Sequence, residues 1–250
     1  MFKIILISIL FTQGILFAHC DGCGADNHNN THNQNGSLTG NVKYQGKVPS
    51  AKALKMDADP VCGSAHKAKV FSESFIVDDN LNLKNVLVWL KDVEYKGEIP
   101  STPAILDQKG CIYDPHVLGV VKGQTLLIKN SDATLHNIHS MADKNDQFNF
   151  AMPKVVKEKE TVFNISEDPF YIKCDVHPWM KSWVLVQDHP YFAVTDEKGN
   201  FKIENIPPGT YEVIAWQEKF KMKRSISKTI EVKASSETVQ DFVFIKPEKK

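Results

Sequence analysis

Helical periodicity is almost absent along this chain, and that absence narrows its fold more than any other feature. What recurs instead is short β-type runs: Leu38 to Tyr44, Val86 to Leu90, Gln124 to Lys129, Trp183 to Val186, Tyr211 to Trp216 and Val239 to Ile245. Gly, Pro, Asn and Asp bound these runs. Strands spaced in this way with turn signals between them predict an all-β chain made of sandwiches. With 250 residues, there is enough chain for one large or two small cores. The 30 basic residues are matched by 30 acidic ones, so no basic excess exists to attract nucleic acid.

The N-terminus predicts export. Met1-Phe2-Lys3 is a short basic start, and Ile4 to Phe17 is a mostly apolar run broken by Thr12, Gln13 and Gly14. A bilayer span needs about 20 residues, so the run reads as a signal peptide over residues 1–18, with Ala18 at the cleavage site. The expected location is extracytoplasmic, either periplasmic or on the outer surface. Ala18-His19-Cys20 is similar to a bacterial lipoprotein signal, which implies lipid on Cys20 and an anchor to the membrane; free secretion is the alternative. Residues 19–36, rich in Asn, His and Gly, predict a polar tether.

Five cysteines in an exported chain leave one over. Cys62 and Cys111 can form a disulfide in an oxidising compartment, and Cys20 can pair with Cys23 or carry lipid. Under each option Cys174 stays unpaired. A lone thiol outside the cytoplasm calls for a use, and metal ligation is one.

Two motifs in the middle of the chain supply the partners for such a ligand. The first ends Asn130-Ser131-Asp132-Ala133-Thr134-Leu135-His136-Asn137-Ile138-His139, a strand and turn that deliver a histidine. The second is Cys174-Asp175-Val176-His177-Pro178-Trp179-Met180, a tight loop after a strand. Two imidazoles and a thiolate, with a weak thioether beside them, suit a copper ion that cycles between two oxidation states. Ligands from sheet ends and one short loop stiffened by Pro178 keep the geometry constant during that cycle.

Cys-x-x-His-Pro-x-Met and His-Asn-x-His resemble the copper motifs of the cupredoxins, over roughly residues 104–187. The resemblance implies one type 1 copper with His136, Cys174, His177 and Met180 as ligands, His139 being a supporting or surface histidine. It implies that Asn137 ties the two ligand loops together. It further implies that His177 lies exposed within an apolar patch formed by Pro178 and Trp179, where electrons pass in and out.

Ala193 to Ile203 followed by Ile206-Pro207-Pro208-Gly209-Thr210-Tyr211 resembles the carboxypeptidase regulatory-like (transthyretin-like) module, a small non-catalytic β-sandwich. The expected organisation is a cupredoxin Greek-key β-sandwich over 101–188 plus a second small β-sandwich. That second unit would comprise 37–100 and 189–250, split around the copper domain or laid out in sequential units. Trp89, Trp183 and Trp216 are expected in sandwich cores. His116 is expected in a structural role, and His66 and His189 on the surface.

The functional expectation is single-electron transfer between extracytoplasmic redox proteins such as a cytochrome and a dehydrogenase. Copper storage or delivery is the alternative. An enzyme would need a second copper centre, and the chain has no His-x-His pair to build one, so none is expected.

Overall fold

A computed structural model describes residues 34–220 and 225–245 of the chain. The signal run, Cys20, Cys23 and most of the tether lie outside the described residues. Strands follow in chain order as β1 (Gly36–Gln45), β2 (Leu87–Leu90), β3 (Ala104–Gln108), β4 (Tyr113–Asp114), β5 (Val117–Val121) and β6 (Thr125–Asn130). They continue as β7 (His136–Ser140), β8 (Asn149–Met152), β9 (Glu158–Val162), β10 (Glu167–Lys173), β11 (Lys181–Gln187) and β12 (Phe192–Val194). The last are β13 (Asn200–Ile206), β14 (Gly209–Trp216), β15 (Ile226–Val232), β16 (Glu237–Val239) and β17 (Phe242–Ile245). One short helix, α1 (Pro60–Ser64), stands between β1 and β2. The fold is all-β.

The strands form four sheets. β1 pairs antiparallel with β13 and parallel with β16 and β17, and a second sheet runs β12-β2-β14-β15. The middle of the chain forms the other two, ordered β5-β11-β10-β7-β8 and β4-β3-β6-β9. Strands before residue 91 therefore pair with strands after residue 191, and everything between pairs with itself.

The period of two in strand side chains stacks these sheets into layers. Along β11, Val184 and Val186 face a core shared with Leu106, Leu126 and Ile128 of the facing sheet. Leu185, between them, faces the other way. In β2, Val88 and Leu90 enter a core with Leu38, Val42 and Phe242, while Leu87 and Trp89 point to the opposite side. Leu87, Trp89 and Trp216 meet Val117 and Leu185 in a third cluster between the two sandwiches. Burial on both faces is why Leu87–Leu90 reads as an unbroken apolar run. At Gly119 in β5 a methyl group would come within 2.4 Å of the Phe192 ring, so only glycine lets the layers approach here.

Several expectations are corrected. Trp89 and Trp216 fill the layer between sandwiches rather than a sandwich core, with Trp183 packed against them. His189 is buried, stacked on Tyr191, and its Nδ1 accepts the Tyr191 backbone N–H at 3.2 Å. His66 is half-buried and bonds the Gly110 carbonyl at 2.7 Å. β1 begins at Gly36, inside the expected tether. Met56 and Cys62, upstream of residue 101, pack into the core of the middle strands.

Candidate metal centre

Three stretches of chain converge on one buried point, and the first is the β6–β7 turn. Asn130, at the end of β6, is buried and donates from Nδ2 to the Met152 carbonyl at 2.8 Å. Its Oδ1 accepts the Asp132 backbone N–H at 3.1 Å, which aims the Asp132 carboxylate inward. That carboxylate accepts the backbone N–H groups of Gly110 and Cys111 at 2.7 and 2.8 Å and meets His136 Nε2 at 2.8 Å. His136 opens β7 and is fully buried.

The second stretch is the loop between β10 and β11. It closes on itself through Cys174 N–H to the Met180 carbonyl (3.3 Å) and Met180 N–H to the His177 carbonyl (2.9 Å). Cys174, the free cysteine among the described residues, accepts backbone N–H groups of Asn137 at 3.5 Å and His177 at 3.4 Å. Met180 is buried in the same core as Cys174. Asn137 bridges the two stretches: its Oδ1 accepts the Asp175 N–H at 2.6 Å and its Nδ2 donates to Asn149 at 2.8 Å. His139 points away, to Asp175 at 2.8 Å.

The third stretch was not anticipated. Asp59 caps α1 by accepting the Val61 N–H at 2.8 Å. Its other oxygen accepts the Thr134 hydroxyl at 2.9 Å and meets His177 Nε2 at 3.1 Å. The Cys62–Cys111 disulfide (S–S 2.00 Å) ties α1 to the loop that Asp132 holds, and Cys62 Sγ lies 3.6 Å from His177 Nε2. His177 is consequently only 2 % exposed. This corrects the expectation that its edge lies open to solvent in an apolar patch. Of that patch, Pro178 is exposed and Trp179 half-buried, its ring centroid 5.0 Å from that of His177.

The electrostatics follow from these contacts. Burial pushes the Asp59 carboxyl up, but bonds from Thr134, His177 and the α1 backbone outweigh it and hold the group at about 2. Asp132 is likewise held below its ordinary value against its burial. Both carboxylates are therefore acceptors, so each histidine must present Nε2–H to its carboxylate and turn Nδ1 inward. The two Nδ1 atoms then face each other at 2.9 Å, with Cys174 Sγ 3.7 Å from His177 Nδ1.

Two inward lone pairs at that distance need a cation between them. A proton held by His136 can serve in the metal-free protein. Burial lowers the His136 imidazole, but Asp132 and the Cys174 sulfur overcome that and raise it to about 9. Burial and the neighbouring His136 charge lower His177, and Cys174 is lowered by His136 and backbone N–H groups despite its burial. A metal ion with soft and imidazole preferences fits this donor set in place of the proton. His136, Cys174 and His177 offer donor atoms all within 4.8 Å of one another. The neighbouring groupings include Cys62 or Cys111, whose sulfurs are committed to the disulfide.

The motifs at 136 and 174–180 thus come together, whereas the carboxylates that orient both imidazoles went unassigned. Asp132 carried a usable signal, four positions before His136 in a turn motif. Asp59 carried none, being 118 positions from His177.

Comparisons with known proteins touch parts of the chain. Residues 166–240 match the model of the family described as polysaccharide lyase family 4, domain II. No curated protein matches by sequence. Among solved structures, the chain is similar to the Cu-containing nitrite reductase from Thermus scotoductus, at 20 % identity and TM-score 0.31. That alignment covers 39 % of this chain and 25 % of the reductase, so the chain spans only a quarter of that protein's length. An amicyanin variant in its Cu(I) form aligns at 20 % identity and TM-score 0.31, over 40 % of this chain and 98 % of its own. A purple cupredoxin from Nitrosopumilus maritimus aligns at 25 % identity and TM-score 0.29, over 34 % of this chain and 99 % of its own. Each likeness covers a minor part of the chain.

Proposed function

We propose that the chain binds one copper ion between His136, Cys174 and His177, with Met180 as a weak fourth ligand, and passes single electrons between extracytoplasmic redox proteins. One observation carries this reading: both imidazoles, turned by Asp132 and Asp59, aim Nδ1 at a buried point beside an unpaired thiol. Copper held there supplies a one-electron couple, with the thiolate favouring Cu(I) and imidazole serving both states. The protein's own part is to fix the ligands on sheet ends, so that little rearrangement accompanies electron transfer. It also excludes water and supplies N–H groups to the thiolate. The Cys62–Cys111 disulfide supports an oxidising location such as the periplasm or outer surface, reached by the signal run, with Cys20 lipidated or free. We read the sandwich of β1, β2 and β12–β17 as a non-catalytic carboxypeptidase regulatory-like module, and the whole as a carrier rather than an enzyme.

The test is the visible spectrum of the exported chain after Cu(II) addition, beside a Cys174→Ser variant. A strong blue absorption lost in the variant supports a thiolate–copper(II) bond. A colourless protein that holds Cu(I) points to copper storage or delivery. The sealed edge of His177 gives that second reading its support, because a carrier needs some route for the electron.

A further inference from the structure

This inference rests on the copper-carrier reading. His177 is closed at its outward nitrogen by Asp59 and by the disulfide, so a redox partner docking there would meet α1 instead of the imidazole. Trp179 offers another way out. Its ring lies against His177, and its indole N–H donates to the Cys111 carbonyl at 2.9 Å, which fixes its orientation.

Trp179 also lines a cleft of about 840 Å³ together with Lys52, Lys55, Lys181 and Lys219. Against these four lysines the lining holds one carboxylate, Glu218. Glu218 is already engaged by His116 and by the Trp183 indole N–H. Lys181 lies over the Tyr171 ring, with its ammonium 4.4 Å from the centroid. Among the described residues, the salt bridges made by lysines involve none of the four. Lys52, Lys55 and Lys219 are exposed. The cleft is thus a mainly positive surface, four lysines against the one carboxylate that Lys219 faces, in contact with an aromatic ring that packs on His177.

We infer that this cleft is the docking site for an acidic redox protein, with Trp179 carrying the electron between His177 and that partner. In the donating direction one electron leaves the reduced centre and reduces the partner's acceptor by one; no bond or proton changes hands.

Two experiments test this. The first titrates the metal-free full chain calorimetrically with hexacyanocobaltate(III), a redox-inert trianion standing in for the acidic surface. Binding should weaken with ionic strength and fall by about tenfold or more in Lys52→Glu/Lys55→Glu, while Lys233→Glu, outside the cleft, leaves it unchanged. The second measures oxidation of the reduced copper protein by hexacyanoferrate(III) in stopped flow. Trp179→Leu should be slower with its blue band intact, and Trp179→Phe should restore part of the rate. Absence of the blue band overturns the carrier reading and the port with it. A blue protein whose oxidation ignores Trp179→Leu, or whose metal-free form fails to bind the trianion, overturns the port alone.

Discussion

Asp59→Asn separates two jobs that one side chain performs. The carboxylate caps α1 through the Val61 N–H at 2.8 Å and holds His177 Nε2 at 3.1 Å. Asparagine caps a helix about as well as aspartate, so the first job survives. The second does not. An amide nitrogen turned toward the imidazole would donate to Nε2, moving the ring proton to Nδ1 and removing the inward lone pair. Loss of an orienting partner on a metal-bound histidine costs about 10–100-fold in metal affinity, equivalent to about 1.4–2.7 kcal/mol. The metal-free protein should lose only about 1 kcal/mol, one hydrogen bond's worth. Asp59→Ala, which also uncaps α1 and strands the Thr134 hydroxyl, should cost about 3 kcal/mol. Copper(II) affinity would be read by competition against a chelator, and stability by urea titration. Wild-type copper affinity in Asp59→Asn would refute the reasoning, because the charge on Nε2 would then be irrelevant to ligand orientation.

Three other outcomes are expected. Glu167 accepts N–H groups of Asp143 and Asn145, and its carboxyl is held below its ordinary value of 4.5. Burial opposes that shift, and the Asn145 side-chain bond leads the contacts that overcome it. A depressed carboxyl contributes stability above its unfolded value and loses it as pH falls through the lower folded value. Glu167→Gln should therefore cost about 2 kcal/mol at pH 7 in urea titrations, the gap closing as pH drops below about 4.5; a constant gap refutes it. Removing the disulfide as Cys62→Ala/Cys111→Ala opens a loop of 49 positions. On chain entropy it should lower stability by about 4 kcal/mol. Trp216→Ala should cost about 3–5 kcal/mol in thermal unfolding, since the ring is buried against Trp183 at 4.9 Å between centroids. Its indole N–H has no hydrogen-bond partner among the described residues, so the loss is packing alone and a change below about 1 kcal/mol counts against the layer between sandwiches.

Much of the architecture was legible because strand signals are local. The runs at Leu38, Gln124 and Tyr211 correspond to β1, β6 and β14, and the run from Val239 covers the end of β16 and β17, since alternation and turn residues act within a few positions. Burial on both faces was not legible. Leu87 and Trp89 face one neighbour and Val88 and Leu90 another, and a continuous apolar run does not say which sheets cover it.

By itself, the sequence determined the strand content and set a histidine just after one turn and a thiol with a second histidine in one short loop. Composition, alternation and turn chemistry act along the chain, and those properties need no partner. Only the tertiary structure decided that β1 pairs with strands some 160 to 200 positions away. The same is true of Asp59 lying on His177 across 118 positions. Which distant groups meet is set by tertiary packing: the α1 cap and the disulfide closed the edge of His177 and left Trp179 at the surface cleft.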